Sequence, residues 1–291
     1  MTEFRMTPFV PTAFHDDATL DLDGQAALAA TTAAAGAHAV CALGLTTGEI
    51  GSLRAEEIGD VVAATVRGAG GLPVGAGLGP PGPGRLALAR RAAAAGADFL
   101  VAAVPGGAAA GDHLGEVAEL GLPVWLHHHP AATGCRLGGA ELAELTDQLG
   151  AEAVLVESAP PGDVVAALAG DDDRAVLGGL AALFLPEEVE AGATGTAAGC
   201  AVPERLAEVA QRYRADDRTA AWDAYLELLP WLRLEAGSPG LRVRKEAWRQ
   251  RGVLGSARVR EGTPLGSTTK VAITHRLRQV GADVRAPFPG S

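Results

Sequence analysis

The sequence predicts an α/β protein built on a parallel sheet, closed as a (β/α)8 barrel or wound open, and followed by C-terminal helices. Three observations carry this. Short apolar runs alternate with helical segments across short links up to about residue 200, giving roughly eight strand candidates. Runs such as Pro123-Val124-Trp125-Leu126 are apolar without alternation, as strands covered on both faces are. Beyond residue 220 the alternation stops, and longer helical segments carry Trp222, Tyr225, Trp231 and Trp248. The division expected is 1–220 for the barrel and 221–291 for a helical subdomain.

The elements follow in order, with each crossover taken as right-handed. Residues 7–10 open as a short strand, and 21–36 form an alanine-rich helix ended by Gly36 at its C-cap. The apolar run 38–43 feeds Gly44-Leu45-Thr46-Thr47-Gly48-Glu49. That turn holds hydroxyls and amides suited to an anion, or caps a helix at 54–67. A third strand at 72–77, a Gly/Pro turn at 79–84 and a helix at 85–96 come next. A fourth strand at 98–104 stops at Pro105, and a helix closes at 117–120. After the strand 123–126 come a helix at 140–149, a strand at 153–156 and a helix at 163–169. The charged turn 171–174 is a solvated loop. A strand at 175–177, a helix at 186–191, a strand at 195–198 and a helix from 203 complete the alternation. Helices at 221–236, 241–251 and 270–280 follow; 258–260 and 285–291 carry no signal.

Composition bounds the function. The chain has 291 residues, 48% of them hydrophobic, and a formal net charge of −11, which repels nucleic acid and anionic membrane alike. No apolar span of membrane length and no charged-then-apolar leader is present. Cys41, Cys135 and Cys200 have no short metal-type spacing and suit reduced thiols in a cytoplasm.

The stretch of greatest chemical interest is His127-His128-His129-Pro130. Three histidines sit at the C-terminal end of a buried strand, where loops of an α/β fold converge. Side chains alternate along a strand, so His127 and His129 share one face and His128 takes the other. Their unperturbed pKa near ~6.5 suits proton transfer at neutral pH. The bland alternative is a set of inert, hydrogen-bonded strand-end residues.

Thr7-Pro8-Phe9, Thr46-Thr47-Gly48-Glu49, Gly75-Ala76-Gly77, Ala95-Gly96-Ala97-Asp98, Pro123-Val124 and Pro130 with Thr133-Gly134 occur in a telling order. With Gly192-Ala193-Thr194-Gly195, Lys245-Glu246-Ala247 and Arg251-Gly252, they resemble the dihydrodipicolinate synthase / N-acetylneuraminate lyase family of class I aldolases. The resemblance covers nearly the whole chain. It implies a (β/α)8 TIM barrel with a C-terminal helical extension, usually a homotetramer built from dimers. It also implies a 2-oxo acid held as an imine on a lysine, with aldol, retro-aldol or dehydration chemistry.

Against that pattern, the imine lysine is missing. The family's Gly-Ile-Lys-Glu-Ser segment matches Val154-Leu155-Val156-Glu157-Ser158, so Val156 stands at the lysine position, and the two lysines are Lys245 and Lys270. The family's tyrosine at the end of the fifth strand is His127 here, and its Pro-Tyr-Tyr is Pro105-Gly106-Gly107. The arginine before the glycine of the fifth loop is absent too. Thr46 and Thr47, which in the family relay a proton and bind a carboxylate, remain.

The reading is a repurposed pocket without an imine, doing lyase, dehydratase or cyclase chemistry on a carbonyl or carboxylate small molecule. Its catalytic candidates are His127, His129 and Thr46. Substrate contacts fall to Thr46, Thr47, Gly107, Val156 and Glu157. No cofactor is implied, and the assembly expected is a homotetramer or homodimer. One alternative is a pseudoenzyme that binds a small molecule or a partner subunit. Another is a metal held by His127 and His129 with Glu157 or His113.

Overall fold

A computed structural model describes residues 4–105, 110–170, 174–237 and 240–290. Eight strands form one parallel sheet: β1 Arg5–Met6, β2 Val40–Ala42, β3 Val74–Gly77, β4 Phe99–Ala103, β5 Val124–His128, β6 Ala153–Val156, β7 Ala175–Gly178 and β8 Gly195–Thr196. The ladder runs β1-β8-β7-β6-β5-β4-β3-β2. The chain just beyond β1 returns to β2, where Phe9 bridges Cys41 in parallel. The Val10 amide donates to the Cys41 carbonyl at 2.8 Å, and the Cys41 amide to the Pro8 carbonyl at 2.9 Å. The two ends of the sheet therefore meet, and of the two expected architectures the curled one forms.

Helices cover the outside: α1 Leu22–Ala34, α2 Ala55–Ala69, α3 Arg85–Ala94, α4 Ala110–Ala118, α5 Pro130–Thr133, α6 Gly139–Leu149, α7 Gly162–Leu168, α8 Leu185–Glu190 and α9 Pro203–Arg214. Asp21 caps α1 by accepting the Gly24 amide at 2.8 Å. Past them lie α10 Arg218–Ala236, α11 Gly240–Gln250 and α12 Ser267–Gln279.

Three apolar clusters hold the fold. Phe9, Cys41, Phe99, Val101, Leu155 and Leu177 fill the inside of the curled sheet, with Trp125 stacked on Phe99 at 4.1 Å. Val62, Leu100, Leu126, Val154, Val156, Val165 and Val176 lie in the layer between sheet and helices. The third cluster joins Met6, Leu28 and Leu185 to Trp231, Trp248, Ile273 and Leu277 of the C-terminal helices. Each large apolar side chain so buried stabilises by about 1.5–3 kcal/mol, so α10 and α11 are anchored through Trp231 and Trp248, and α12 through Ile273 and Leu277.

Several expectations shift. The first strand is at Arg5–Met6 rather than 7–10; Phe9 contributes a single bridge. β5 runs on through His128, because its ladder with β6 pairs His128 with Val156. Pro130 then begins the one-turn α5, where a missing N–H costs nothing. The loop at 106–109, with Gly107, and residues 171–173 of the charged turn lie outside the described residues.

Candidate functional site

The site grows from the period of two in β5 and β6. In their parallel register His127 faces Leu155 and His128 faces Val156. His127, His129, Leu155 and Glu157 all line one cavity of about 520 Å3 at the C-terminal ends of the strands. The even-numbered partners turn away. His128 is buried with its Nε2 accepting the Leu137 amide at 3.2 Å. Burial, with the two flanking histidines, lowers its pKa.

Glu157 is the hub. Its Oε2 lies 3.2 Å from His127 Nε2 and 3.0 Å from His129 Nε2, while its Oε1 accepts the Leu180 amide at 3.1 Å. Burial pushes this carboxyl up, but hydrogen bonds from both imidazoles and their charge outweigh it and hold Glu157 well below the usual carboxylate range. The approach depends on Gly179, where a side chain would run into Glu157. The Leu180 amide is aimed by three successive non-glycine residues with positive φ: Leu180 at 47°, Ala181 at 53° and Ala182 at 59°. Such left-handed residues cost about 1–2 kcal/mol each, a strain stored in the cavity wall.

Glu188 approaches the same glycine pair from the opposite side. It is fully buried on α8, against Gly178, and neither carboxyl oxygen makes a hydrogen bond of ordinary geometry among the described residues, the Gly179 backbone only partly offsetting its burial. Burial, reinforced by Glu157 and Glu187, pushes Glu188 up to about 8. Two carboxyls thus flank Gly178-Gly179 with opposite shifts, the half-buried Glu157 held below and the fully buried Glu188 pushed above the usual carboxylate range.

Thr46 and Thr47 reach the cavity from the loop after β2. The Gly44 carbonyl accepts the amides of Thr47 at 3.3 Å and Gly48 at 2.7 Å, and Thr12 Oγ1 donates to the Gly48 carbonyl at 2.6 Å. Phe9 stacks on His127 with ring centroids 6.5 Å apart, joining the loop's neighbourhood to the histidines. Glu49, at φ 49°, leaves the loop and ion-pairs with the buried Lys245; its Oε2 accepts the Arg260 amide at 2.8 Å. Arg260 in turn forks onto Glu57 at 2.6 and 2.7 Å. Both cations lie over the Phe14 ring, at 4.5 Å for Lys245 and 4.4 Å for Arg260. Burial pulls the Lys245 ammonium down to about 8 against the opposing Glu49. It braces the loop from behind and does not line the cavity.

The remaining wall comes from β8's sequel and the C-terminal helices, with Gly199, Glu235, Leu241 and Arg244.

The structure thus brings together Thr46, Thr47, His127, His129 and Glu157. Val156 requires a correction. It is completely buried in the layer between sheet and helices, one residue out of phase with the cavity, and Leu155 and Glu157 are its inward neighbours. Gly107 lies outside the described residues. Sequence reasoning missed Glu188, Glu235, Arg244 and Arg260; Arg260 meets Glu57 from 203 residues away, and only the Thr46-Thr47-Gly48-Glu49 and Lys245-Glu246-Ala247 motifs pointed near the others. Among the described residues no group of three or more His, Cys, Asp or Glu side chains is arranged to hold a metal ion.

Comparison with known proteins shows the family and the fold. The dihydrodipicolinate synthetase family matches residues 3–279. A 4-hydroxy-tetrahydrodipicolinate synthase of Xanthomonas axonopodis pv. citri is 34% identical over 244 residues, 76% of this chain and 75% of that protein. An uncharacterized DapA-like lyase of Halobacterium salinarum is 39% identical over 150 residues, so the match spans only 49% of either chain. Among solved structures, the dihydrodipicolinate synthase of Rhodopseudomonas palustris superposes with TM-score 0.87 at 25% identity, over 96% of this chain and 98% of that one. YagE of E. coli K12, a prophage protein of the dihydrodipicolinic acid synthase family solved with pyruvate, gives 0.86 at 26% identity, over 96% and 98%.

Proposed function

The chain belongs to the dihydrodipicolinate synthetase family, and from that premise we propose that it is a divergent member working without a lysine imine. It binds a 2-oxo acid or related carbonyl compound and moves a proton next to the carbonyl, as a lyase, dehydratase or cyclase does. The carrying observation is Glu157 between His127 and His129, on the wall of the cavity that also holds Thr46 and Thr47. No lysine lines that cavity among the described residues. Thr46 and Thr47 take the carboxylate. The imidazoles serve as acid and base, with Glu157 orienting them and balancing the charge that forms on protonation.

A second reading has its own observation. Both Nε2 atoms already face Glu157, so an imidazole must leave that contact or work through Nδ1 to reach a ligand. This favours a barrel that binds without turnover. Under either reading the chain works in a reducing cytoplasm, where Cys41, Cys135 and Cys200 remain free, buried thiols. It assembles with copies of itself as a dimer or tetramer; Trp222 and Leu226 of α10 are large apolar side chains left 42% and 48% exposed.

Deuterium exchange at C3 of pyruvate and 2-oxobutyrate, followed by proton NMR with the purified full chain, tests the enzyme reading. Exchange above the solvent rate, lost in His127→Phe, supports it. Binding without exchange selects the second reading, and absence of binding by any 2-oxo acid removes both.

A further inference from the structure

Arg244 is the one arginine or lysine among the described residues of the cavity wall. It stands on α11 and is 5% exposed. Its Nε donates to Glu235 Oε1 at 2.8 Å. Glu235 is itself buried and fully engaged: Oε1 also accepts the Ala201 amide at 2.9 Å, and Oε2 accepts the Trp231 indole N–H at 3.0 Å. A carboxylate tied at both oxygens to α10 and to the chain after β8 therefore fixes the plane of the guanidinium. Nε carries the one hydrogen bond that Arg244 makes to a described side chain, and Nη1 and Nη2 make none among the described residues. At Gly199 a side chain would run into the Phe9 carbonyl and crowd Arg244 Nη1 at 2.9 Å, so glycine leaves the end of the fork uncovered.

An ion pair that only braced α10 to α11 would not require the unused half of the guanidinium to line a cavity. A fixed, half-used fork is suited to a planar anion, which it grips by two parallel N–H bonds. Because Glu235 already offsets one charge, a singly charged carboxylate matches the site better than a doubly charged phosphate.

We propose that Arg244 is a specificity-determining residue that binds a second, distal carboxylate, so that the natural ligand is a 2-oxo dicarboxylic acid. The inference rests on the reading above, in which Thr46 and Thr47 hold the carboxylate beside the carbonyl. A cavity of about 520 Å3 has room for such an acid with carbon to spare between its ends.

Titration calorimetry on the full chain tests it with pyruvate, 2-oxoglutarate, 2-oxoadipate and the 5-methyl ester of 2-oxoglutarate. At least one diacid is expected to bind roughly tenfold or more tighter than pyruvate, and the ester to lose that gain. Arg244→Gln keeps a donor for Glu235 but carries no charge; it is expected to abolish the gain and leave pyruvate binding within about twofold. Arg244→Lys is expected to restore part of it. Pyruvate binding with no advantage for either diacid overturns the proposal and spares the parent reading, as does a gain that survives in Arg244→Gln. If neither pyruvate nor a diacid binds, both fall. Should Arg244→Gln fail to fold, the acid and ester compared on the unaltered protein decide the matter: equal affinity refutes it.

Discussion

His129 Nε2 lies 3.0 Å from Glu157 Oε2, and that single oxygen is also the one His127 approaches. One negative charge therefore serves two imidazoles. This binds β5 to β6 at the mouth of the curled sheet and makes the carboxylate's ionisation part of the native state.

The acid limb of stability should report it. The folded carboxyl of Glu157 titrates well below an unfolded glutamate, at ~4.3. Its contribution is thus present above that unfolded value and lost as pH falls through the folded one. Urea unfolding from pH 6 down to 2.5 should show stability dropping below about pH 4.5. In Glu157→Gln the drop should be smaller, with stability at neutral pH lower by about 1–3 kcal/mol. An unchanged acid limb in the variant would remove Glu157 from this role.

Glu188 works in the opposite sense. Its pKa is raised to about 8, so the native state holds a proton that the unfolded chain releases near ~4.3. Stability from this group is complete below the unfolded value, declines as pH rises and is gone above about 8. Glu188→Gln should flatten the slope between about pH 5 and 8, and the variant should be more stable than the parent at pH 8 by a few kcal/mol. Thermal melts across that range provide the check; a variant that melts lower at pH 8 contradicts the assignment.

Pyruvate and borohydride should leave no covalent adduct on the native chain, since neither Lys245 nor Lys270 lines the cavity. Leu155→Lys places an amine on the cavity wall, where burial favours the nucleophilic free base. It should gain a reducible adduct visible as a mass shift. Val156→Lys buries the amine in the apolar layer that also holds Val165 and Leu168. It should gain no adduct and lose several kcal/mol of stability. The reverse pattern would restore Val156 to the cavity.

The neighbouring histidines should separate fold from function. His128→Phe strips the Leu137 amide of its acceptor and should cost about 1–3 kcal/mol, with ligand binding kept. His127→Phe removes one of the two imidazoles on Glu157 and should cost a comparable amount, but, unlike His128→Phe, it should reduce proton exchange by on the order of a hundredfold or more. Equal effects of the two substitutions on exchange would contradict the assignment of His127.

What the sequence determined by itself follows from local rules. Alternating apolar runs and capped helices gave the parallel α/β cadence, and α1 lies within the expected span from Asp21, its C-cap falling at Ala35, one residue before Gly36. The period of two placed His127 and His129 on one face and His128 on the other, since alternation holds wherever the ladder continues. The same rule, taken from β5 to β6, would have turned Leu155 and Glu157 inward; assigning Val156 by motif instead lost one residue of phase. Only the tertiary structure decided the rest. Glu157 meets its histidines because the register pairs His127 with Leu155, a relation set by how two strands align. Glu49 finds Lys245 because α11 packs against the loop after β2, and Glu235 finds Arg244 because α11 turns back beside α10. Charge, spacing and hydropathy carry no record of such pairs: a buried ion is stabilised by whatever partner the packing delivers, however far along the chain.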